Sequence, residues 1–530
     1  MKCFMFALLA ALTLALGAAP ADAQLLLTGA GRSSAGVAIP GTTLIALTNG
    51  ASCVGCPSTA PTVRYNPQFS TVTAPAGRVS TITDLMGTAN ATAGTETNWA
   101  GPLDRVDLLG RRHMRLQTNE YLTGGTGFTI ASGQSRSLTV CGVFRFHRTQ
   151  GTSPVFSLGS HEAGTQINMG GGASVELYGT SNVGPILRAG GINPLGQANQ
   201  ERIIPGSQMQ SLCVVSRGAG VTWVVDGEKV TTSSTIFNTT TVTTGFEIGR
   251  YSWAPGSAGT GSPQSDGAGA AIDIYDIAIW KTPLSDAEAV AVSNALDTQW
   301  NLVATTNQVV VDGDSITQGI RVSGGADPVT SGLSMGMWLT EPGSPYALPR
   351  TYRVVNVGIS GNTVAAALTR RDTANSIYNF KLSGANVVAI QIGTNDINPS
   401  AAATIYSAKV NLIGQATTGY LARGWTVRSA VNIAISNTTL QAKFNTLRGL
   451  ERNIAQFRTD TGASAAQLAI IDLPGITVGA THPLDQSADI NTGYYQLLVD
   501  GTHPNGSVGT PLMVSGGDTP ANGYSYAVQH

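Results

Sequence analysis

Charge is what this sequence has least of. Only 12% of its 530 residues are charged, against about 25% in ordinary soluble domains, which excludes a charge-solvated disordered chain and a coiled coil. Neither sign is in excess. The 30 Lys and Arg face 31 Asp and Glu, so no electrostatic footprint points to nucleic acid or an anionic lipid surface. Long apolar runs are equally scarce: Phe4 to Leu16 falls short of the roughly 20 residues a membrane helix needs, and no later stretch reaches that length. The 64 Gly and 24 Pro stay below the roughly 25–30% of low-complexity chains. What is present is a 42% hydrophobic content over a length that calls for at least two cores. Low charge with abundant Gly, Thr and Ser is the composition of a β-rich exported protein.

The N-terminus supports export. Lys2, the apolar run and the small residues of Ala21-Asp22-Ala23 form a signal peptide over 1–23, cleaved before Gln24. The expected location is therefore secreted or periplasmic, without membrane insertion. Removing the leader removes Cys3 and leaves Cys53, Cys56, Cys141 and Cys213. An even number in an oxidising compartment reads as disulfides, with three possible connectivities. The favoured one pairs Cys53 with Cys56 as a local loop and Cys141 with Cys213 as a tie between strands. A redox role for Cys53-Val-Gly-Cys56 needs a helix that Pro57 and Ser58 do not begin. No second close Cys or His pair stands at zinc-ligand spacing.

Residues 24–62 read as a linker or short N-terminal extension. From 63 to 300 short alternating runs, such as Ser137–Phe146 and Val221–Gly227, are separated by Gly, Asn, Ser and Thr clusters, the pattern of an all-β antiparallel sandwich. Val79–Gly87, the Val224–Glu228 hairpin, Phe246–Arg250, Ile272–Trp280 and a closing helix from Ser285, with Glu288 completing a capping box, together resemble the concanavalin A-like, laminin-G-like jelly-roll modules. After about 305 the period changes. Val309–Val311, Val354–Val357, Val387–Ile392, Thr426–Val431 and Leu468–Ile471 are short and very apolar, with helix-length stretches between them, notably 401–421 and 438–458. That predicts an α/β three-layer domain over 306–530 with a five-stranded parallel sheet covered on both faces. In such sheets the chemistry lies beyond the carboxyl ends of the strands.

Beyond the first run stands Asp312-Gly-Asp-Ser-Ile-Thr-Gln-Gly319, beyond the second Asn356–Thr363, beyond the third Gly393-Thr-Asn-Asp396, and near the C-terminus Asp500-Gly-Thr-His-Pro-Asn505. A serine hydroxyl attacks only when a base accepts its proton. Ser315, past a strand and at a helix start, is the candidate nucleophile; His503 is the candidate base, and Asp500 three residues earlier can meet its other ring nitrogen and stabilise the imidazolium. The four blocks in this order resemble the SGNH (GDSL-type) hydrolases, over essentially all of 306–530, and the resemblance implies their flavodoxin-like fold. It also implies an oxyanion hole of the Ser315 and Gly361 backbone N–H groups and the Asn395 amide, and no cofactor or metal. Asp314 and Asp396 are expected to hold their loops through backbone hydrogen bonds.

His482, in Thr481-His-Pro-Leu-Asp485, is the rival base, but its Asp follows rather than precedes it. Gly332-Leu-Ser-Met-Gly336 matches a nucleophile elbow without the strand that motif requires, so Ser334 is expected only to start a helix towards Trp338. Trp223 and Trp280 lie inside alternating strands and are expected in the core, whereas Trp253 is the candidate sugar contact. The expected activity is a secreted serine esterase that hydrolyses acyl, especially acetyl, esters on a polysaccharide. The alternatives are a broad carboxylesterase, lipase or thioesterase on small acyl esters, and a non-catalytic glycan-binding surface protein.

Overall fold

The structure, a computed structural model, describes residues 44–93, 100–107, 109–116, 120–130, 137–146, 151–154, 156–157, 175–180, 183–189, 206–217, 221–233, 243–249, 272–319, 335–372, 376–416, 418–433, 435, 437–479, 481–485, 504 and 509–530. No helix among them is long and apolar enough to cross a membrane. The expected signal peptide lies outside the described residues, as do Trp253, Ser334, Asp500 and His503.

The N-terminal half is built from antiparallel sheets, as its alternating pattern predicts. One sheet orders Glu228–Ser233, Val221–Val225, Gln210–Arg217, Ser137–Phe146, Ile272–Trp280, Arg112–Leu116 and Leu103–Val106, with Val63–Tyr65 also pairing to Ile272–Trp280. A second contains Thr243–Ile248, Leu122–Ile130 and Ala91–Ala93. The two share one core: Val140, Phe144 and Trp223 from the first pack in a cluster with Leu122, Phe246 and Ile248 from the second. Trp223 and Trp280 are both buried, as expected.

Ile272–Trp280 is buried at every residue, which its alternation does not suggest. A register shift between Ile274 and Asp276 changes which residues face inward. Ile272, Ile274, Ile277 and Ile279 enter the sheet-to-sheet core, while Tyr275, Ala278 and Trp280 pack with Ala289, Val292 and Leu296 of helix α1 (Asp286–Trp300). The buried Asp276 carboxylate accepts bonds from Arg64 Nε and Nη2 and from Asn66 Nδ2, so burial leaves it paired. Helix α1 starts as its sequence dictates: Ser285 Oγ accepts from Glu288 N–H at 3.2 Å, and Glu288 Oε2 accepts from Ser285 N–H at 2.8 Å. Both expected disulfides are present, and Cys141–Cys213 joins directly opposed residues of adjacent strands.

The hairpin at Asp226-Gly227 has positive φ at both turn residues, 47° and 76°, the backbone of a two-residue type I′ turn. Burial, and then the neighbouring Asp297 carboxylate, push the Asp226 carboxyl up to about 8. An unfolded Asp titrates near about 3.9. Between roughly pH 4 and 8 the folded state therefore keeps a proton that the unfolded chain has released, and this group's contribution to stability falls as pH rises. Asp226→Asn tolerates the left-handed backbone and removes that slope. Its expected melting-temperature gain is larger above about pH 8 than at about pH 5, read by paired thermal scans.

The C-terminal half contains five parallel strands: β1 (Asn307–Gly313), β2 (Tyr352–Asn356), β3 (Asn386–Gln391), β4 (Thr426–Ala430) and β5 (Leu468–Ile471), in spatial order 2-1-3-4-5. All five coincide with the apolar runs. Successive valines of β1 serve opposite cores, as a period of two demands. Val310 packs with Val388, Val364, Leu412 and Phe444; Val309 and Val311 pack with Val354, Trp338, Leu512 and Tyr524. Helices α2 (Ser315–Gln318), α3 (Met335–Trp338), α4 (Val364–Arg371), α5 (Ala402–Ile413), α6 (Gln441–Arg452) and α7 (Ile454–Thr461) follow in chain order. Two expected helical stretches are shorter than their periodicity. The one from 401 stops at Ile413 before Gly414, and the one from 438 breaks at Asn453, whose side chain accepts from Gln456 N–H and starts α7 anew.

The edge of β2 is not left open. Val354 C=O accepts from Ser207 N–H at 2.8 Å, and Val354 N–H donates to Gln208 Oε1 at 3.2 Å. Beside this contact Arg145 donates to Glu341 Oε2 at 2.8 Å and to Ser207 C=O at 3.0 Å. The antiparallel and parallel regions are thus joined by buried, paired polar groups, which also cover an edge strand.

Candidate active site

Three of the expected residues sit on the loops that leave β1, β3 and β2, the adjacent strands at the point where strand order reverses, where ligands bind in open α/β sheets. Ser315 is the first residue of α2, and Asp314 caps that helix, its Oδ1 accepting from Ile316 N–H at 3.0 Å. Ser315 is mostly buried, with 7% of its surface exposed. The turn into it requires glycine: a Cβ on Gly313 would stand 2.1 Å from Gln391 C=O of β3. Gly361 follows β2 with φ 74°, and nothing lies within 4 Å of where its Cβ would be. That combination gives a backbone segment a substrate can approach closely. Asn395 follows β3, is exposed, and donates one amide hydrogen to Asn362 C=O at 2.9 Å. A carboxamide carries two such hydrogens, so the second remains for another acceptor.

The three loops are bonded into one unit. Between the first and second, Asn356 Nδ2 donates to Thr317 C=O at 2.9 Å, Ile359 N–H to Gly313 C=O at 3.1 Å, and Ser360 N–H to Gln318 Oε1 at 2.6 Å. Asn356 Oδ1 in turn accepts from Gly358 N–H at 3.0 Å. Between the second and third, Val364 N–H donates to Asp396 Oδ2 at 3.1 Å. Asp396 thus satisfies an orphan donor at the start of α4, where Thr363 Oγ1 takes another from Ala366. Burial raises the Asp396 carboxyl above its usual range, opposed by those backbone bonds. Asp314 and Asp396 therefore hold loops, as expected. The roles of Asn356 and Gln318 were not legible, because an amide bridging two loops leaves no spacing signal.

A second network lies beneath the nucleophile turn. Asp312, fully buried at the end of β1, accepts from Arg370 Nη2 of α4, from Tyr378 Oη, and from Tyr420 Oη at 2.7 Å. Burial first, and the Asp312 charge second, push both tyrosine hydroxyls well above their usual range, so they stay protonated donors. The signal that could have found Asp312 is an acid directly ending a fully buried strand; Tyr378 and Tyr420 carry none.

The rival base His482 is exposed. The carboxylate of Asp485 three residues on faces Arg448, whose Nη1 donates to it at 3.2 Å and to the Asp485 C=O at 2.6 Å. The structure thus brings Ser315, Gly361 and Asn395 to one sheet edge and gives the acid near His482 another partner.

Residues 309–508 match the family described as GDSL-like Lipase/Acylhydrolase. No curated protein matches the chain. Among solved structures, a protein from Parabacteroides merdae described as a GDSL-like lipase is 16% identical, with 43% of this chain and 98% of that one covered at a TM-score of 0.30. Domain 4 of an extracellular arabinanase from Geobacillus stearothermophilus, in complex with arabinotriose, is 14% identical, covering 44% and 98% at 0.29. An acetylxylan esterase from the same organism is 20% identical, covering 40% and 93% at 0.27.

Proposed function

We propose that this SGNH-family ester hydrolase is a secreted serine esterase that removes acyl groups, acetyl above all, from a polysaccharide. The observation that carries the reading is the placement of Ser315, Gly361 and Asn395 on three mutually bonded loops at the switch point of the sheet. In this reaction Ser315 Oγ attacks the ester carbonyl as its proton passes to His503, oriented by Asp500. The tetrahedral oxyanion accepts hydrogen bonds from the Ser315 and Gly361 N–H groups and the Asn395 amide. Collapse expels the sugar hydroxyl, protonated by His503, and leaves an acyl-Ser315 ester. Water, deprotonated by His503, then attacks that ester; as the acyl–Oγ bond breaks, His503 returns the proton to Ser315 Oγ and the carboxylic acid leaves.

The polysaccharide part of the reading rests on the pairing of the hydrolase with antiparallel sheets that we read as a jelly-roll, glycan-directed module carrying Trp253, behind a leader for export over 1–23. The test compares acetate release from acetylated xylan with hydrolysis of p-nitrophenyl esters of increasing chain length. Preference for the polymer and for acetyl supports the reading; preference for long acyl chains overturns it in favour of a broad carboxylesterase. Asn395→Ala is expected to lower kcat by roughly 10²–10³-fold with little change in KM, because the amide meets charge that develops only in the transition state. Steady-state kinetics on p-nitrophenyl acetate measure it, and a pure KM effect would move Asn395 out of the oxyanion hole.

A further inference from the structure

A cavity of about 220 Å3 lies at the other end of the parallel sheet. It is bounded by Asn301–Val303 and Tyr352, which precede or begin β1 and β2, whereas Ser315 and Gly361 follow those strands. Seven residues of strand, about 23 Å, separate the two ends. The cavity is therefore not part of the candidate active site.

Its polar lining is one-sided. Arg111 and Arg350 both border it, and none of the described lining residues is acidic. Arg111 is buried and its Nε is held by Asp107 Oδ2 at 2.7 Å; Arg350 is exposed and donates through Nη1 to Asn301 C=O at 2.7 Å. The nearby acid Glu341 is taken by Arg145. Two more lining groups are donors without acceptors among the described residues. Gln208, 8% exposed, uses its Oε1 on Val354 N–H, and among the described residues its Nε2 meets no acceptor; Trp300, 0% exposed, likewise meets none at Nε1. Buried donors are seldom left unmet, and each one calls for an explanation such as an ion or ligand. Around them Met209, Leu302 and Leu348 supply apolar surface.

We propose that this cavity binds a single sugar ring carrying a carboxylate, a hexuronate. The four donors call for an acceptor-rich ligand, and the Arg350 guanidinium, which pairs with no carboxylate among the described residues while Arg111 is held by Asp107, calls for a negative one. The apolar wall suits the C–H face of a ring. The volume lies below the roughly 300–1,000 Å3 of drug-sized sites, which limits the occupant to one ring. The carboxylate lies between the two arginines, and Gln208 Nε2 and Trp300 Nε1 meet ring hydroxyl oxygens. This site needs nothing from the esterase reading, and its test uses no ester.

The experiment is isothermal titration calorimetry of the full chain with galacturonate, galactose and acetate at low ionic strength. Galacturonate is expected to bind, and galactose and acetate to bind at least roughly tenfold more weakly, because each lacks one half of the recognition. Arg350→Gln is expected to weaken galacturonate roughly tenfold or more while leaving p-nitrophenyl acetate turnover unchanged; Met209→Trp, which fills the cavity, is expected to abolish binding. Absence of galacturonate binding, equal affinity for galactose, equal affinity for acetate, or unchanged binding by Arg350→Gln would each overturn the proposal. Because acyl turnover is measured separately, inactivity as an esterase leaves this result intact, and the reverse holds too.

Discussion

Ser315→Ala is expected to lower p-nitrophenyl acetate hydrolysis by roughly 10⁴–10⁶-fold, the loss seen when a serine nucleophile is removed and only binding and oxyanion stabilisation remain. The structure makes this a clean experiment. The helix that Ser315 begins is capped by Asp314, not by Ser315 itself, so losing the hydroxyl does not uncap it. The Ser315 backbone N–H is kept, and Gly361 and Asn395 are untouched. The protein should therefore fold and melt as wild type, with the effect confined to kcat. Combining Ser315→Ala with His503→Ala is expected to add almost nothing, because members of a triad act as a unit. His482→Ala alone is expected to leave most activity, whereas His503→Ala alone should approach Ser315→Ala. If His482→Ala gives the larger loss, the base has been assigned to the wrong imidazole. An additive double variant would show that Ser315 and His503 do not share a proton.

Much of this architecture was legible because the relevant signals are local. Five mostly apolar runs became five parallel strands, since a strand covered on both faces has no solvent side to mark with a regular polar alternation. Ser315, Gly361 and Asn395 could be placed at one edge because each lies a few residues beyond such a run. Legibility failed where partners are distant in the chain. The second buried face of Ile272–Trp280 depends on α1 and on a register shift, neither of which alternation records. Asn453 breaks a continuous helical periodicity by offering its side chain to Gln456 N–H, a choice between cap and interior that the apolar spacing does not decide. The cavity at Arg111 and Arg350 joins residues more than 200 positions apart and has no motif at all.

Asp312→Ala is the substitution expected to cost the most stability, on the order of 3–5 kcal/mol, since it breaks a buried ion pair by removing one partner. The carboxylate is the common acceptor for Arg370, Tyr378 and Tyr420, and alanine cannot replace it. Asp312→Asn restores an acceptor for one hydroxyl but not the charge that Arg370 faces, so the expected order of urea midpoints is wild type, then Asn, then Ala. Arg370→Met added to Asp312→Ala should recover part of the loss, because the uncompensated charge goes with it. Activity gives the second readout. Asp312 is three residues before Ser315, and its ligands come from α4 and from segments near β3 and β4, so the network anchors the turn that carries the nucleophile. The prediction is a fall in kcat for Asp312→Asn at temperatures where the variant is still folded, with KM nearly unchanged. A variant that loses stability but keeps full kcat would make Asp312 an element of the core and nothing more.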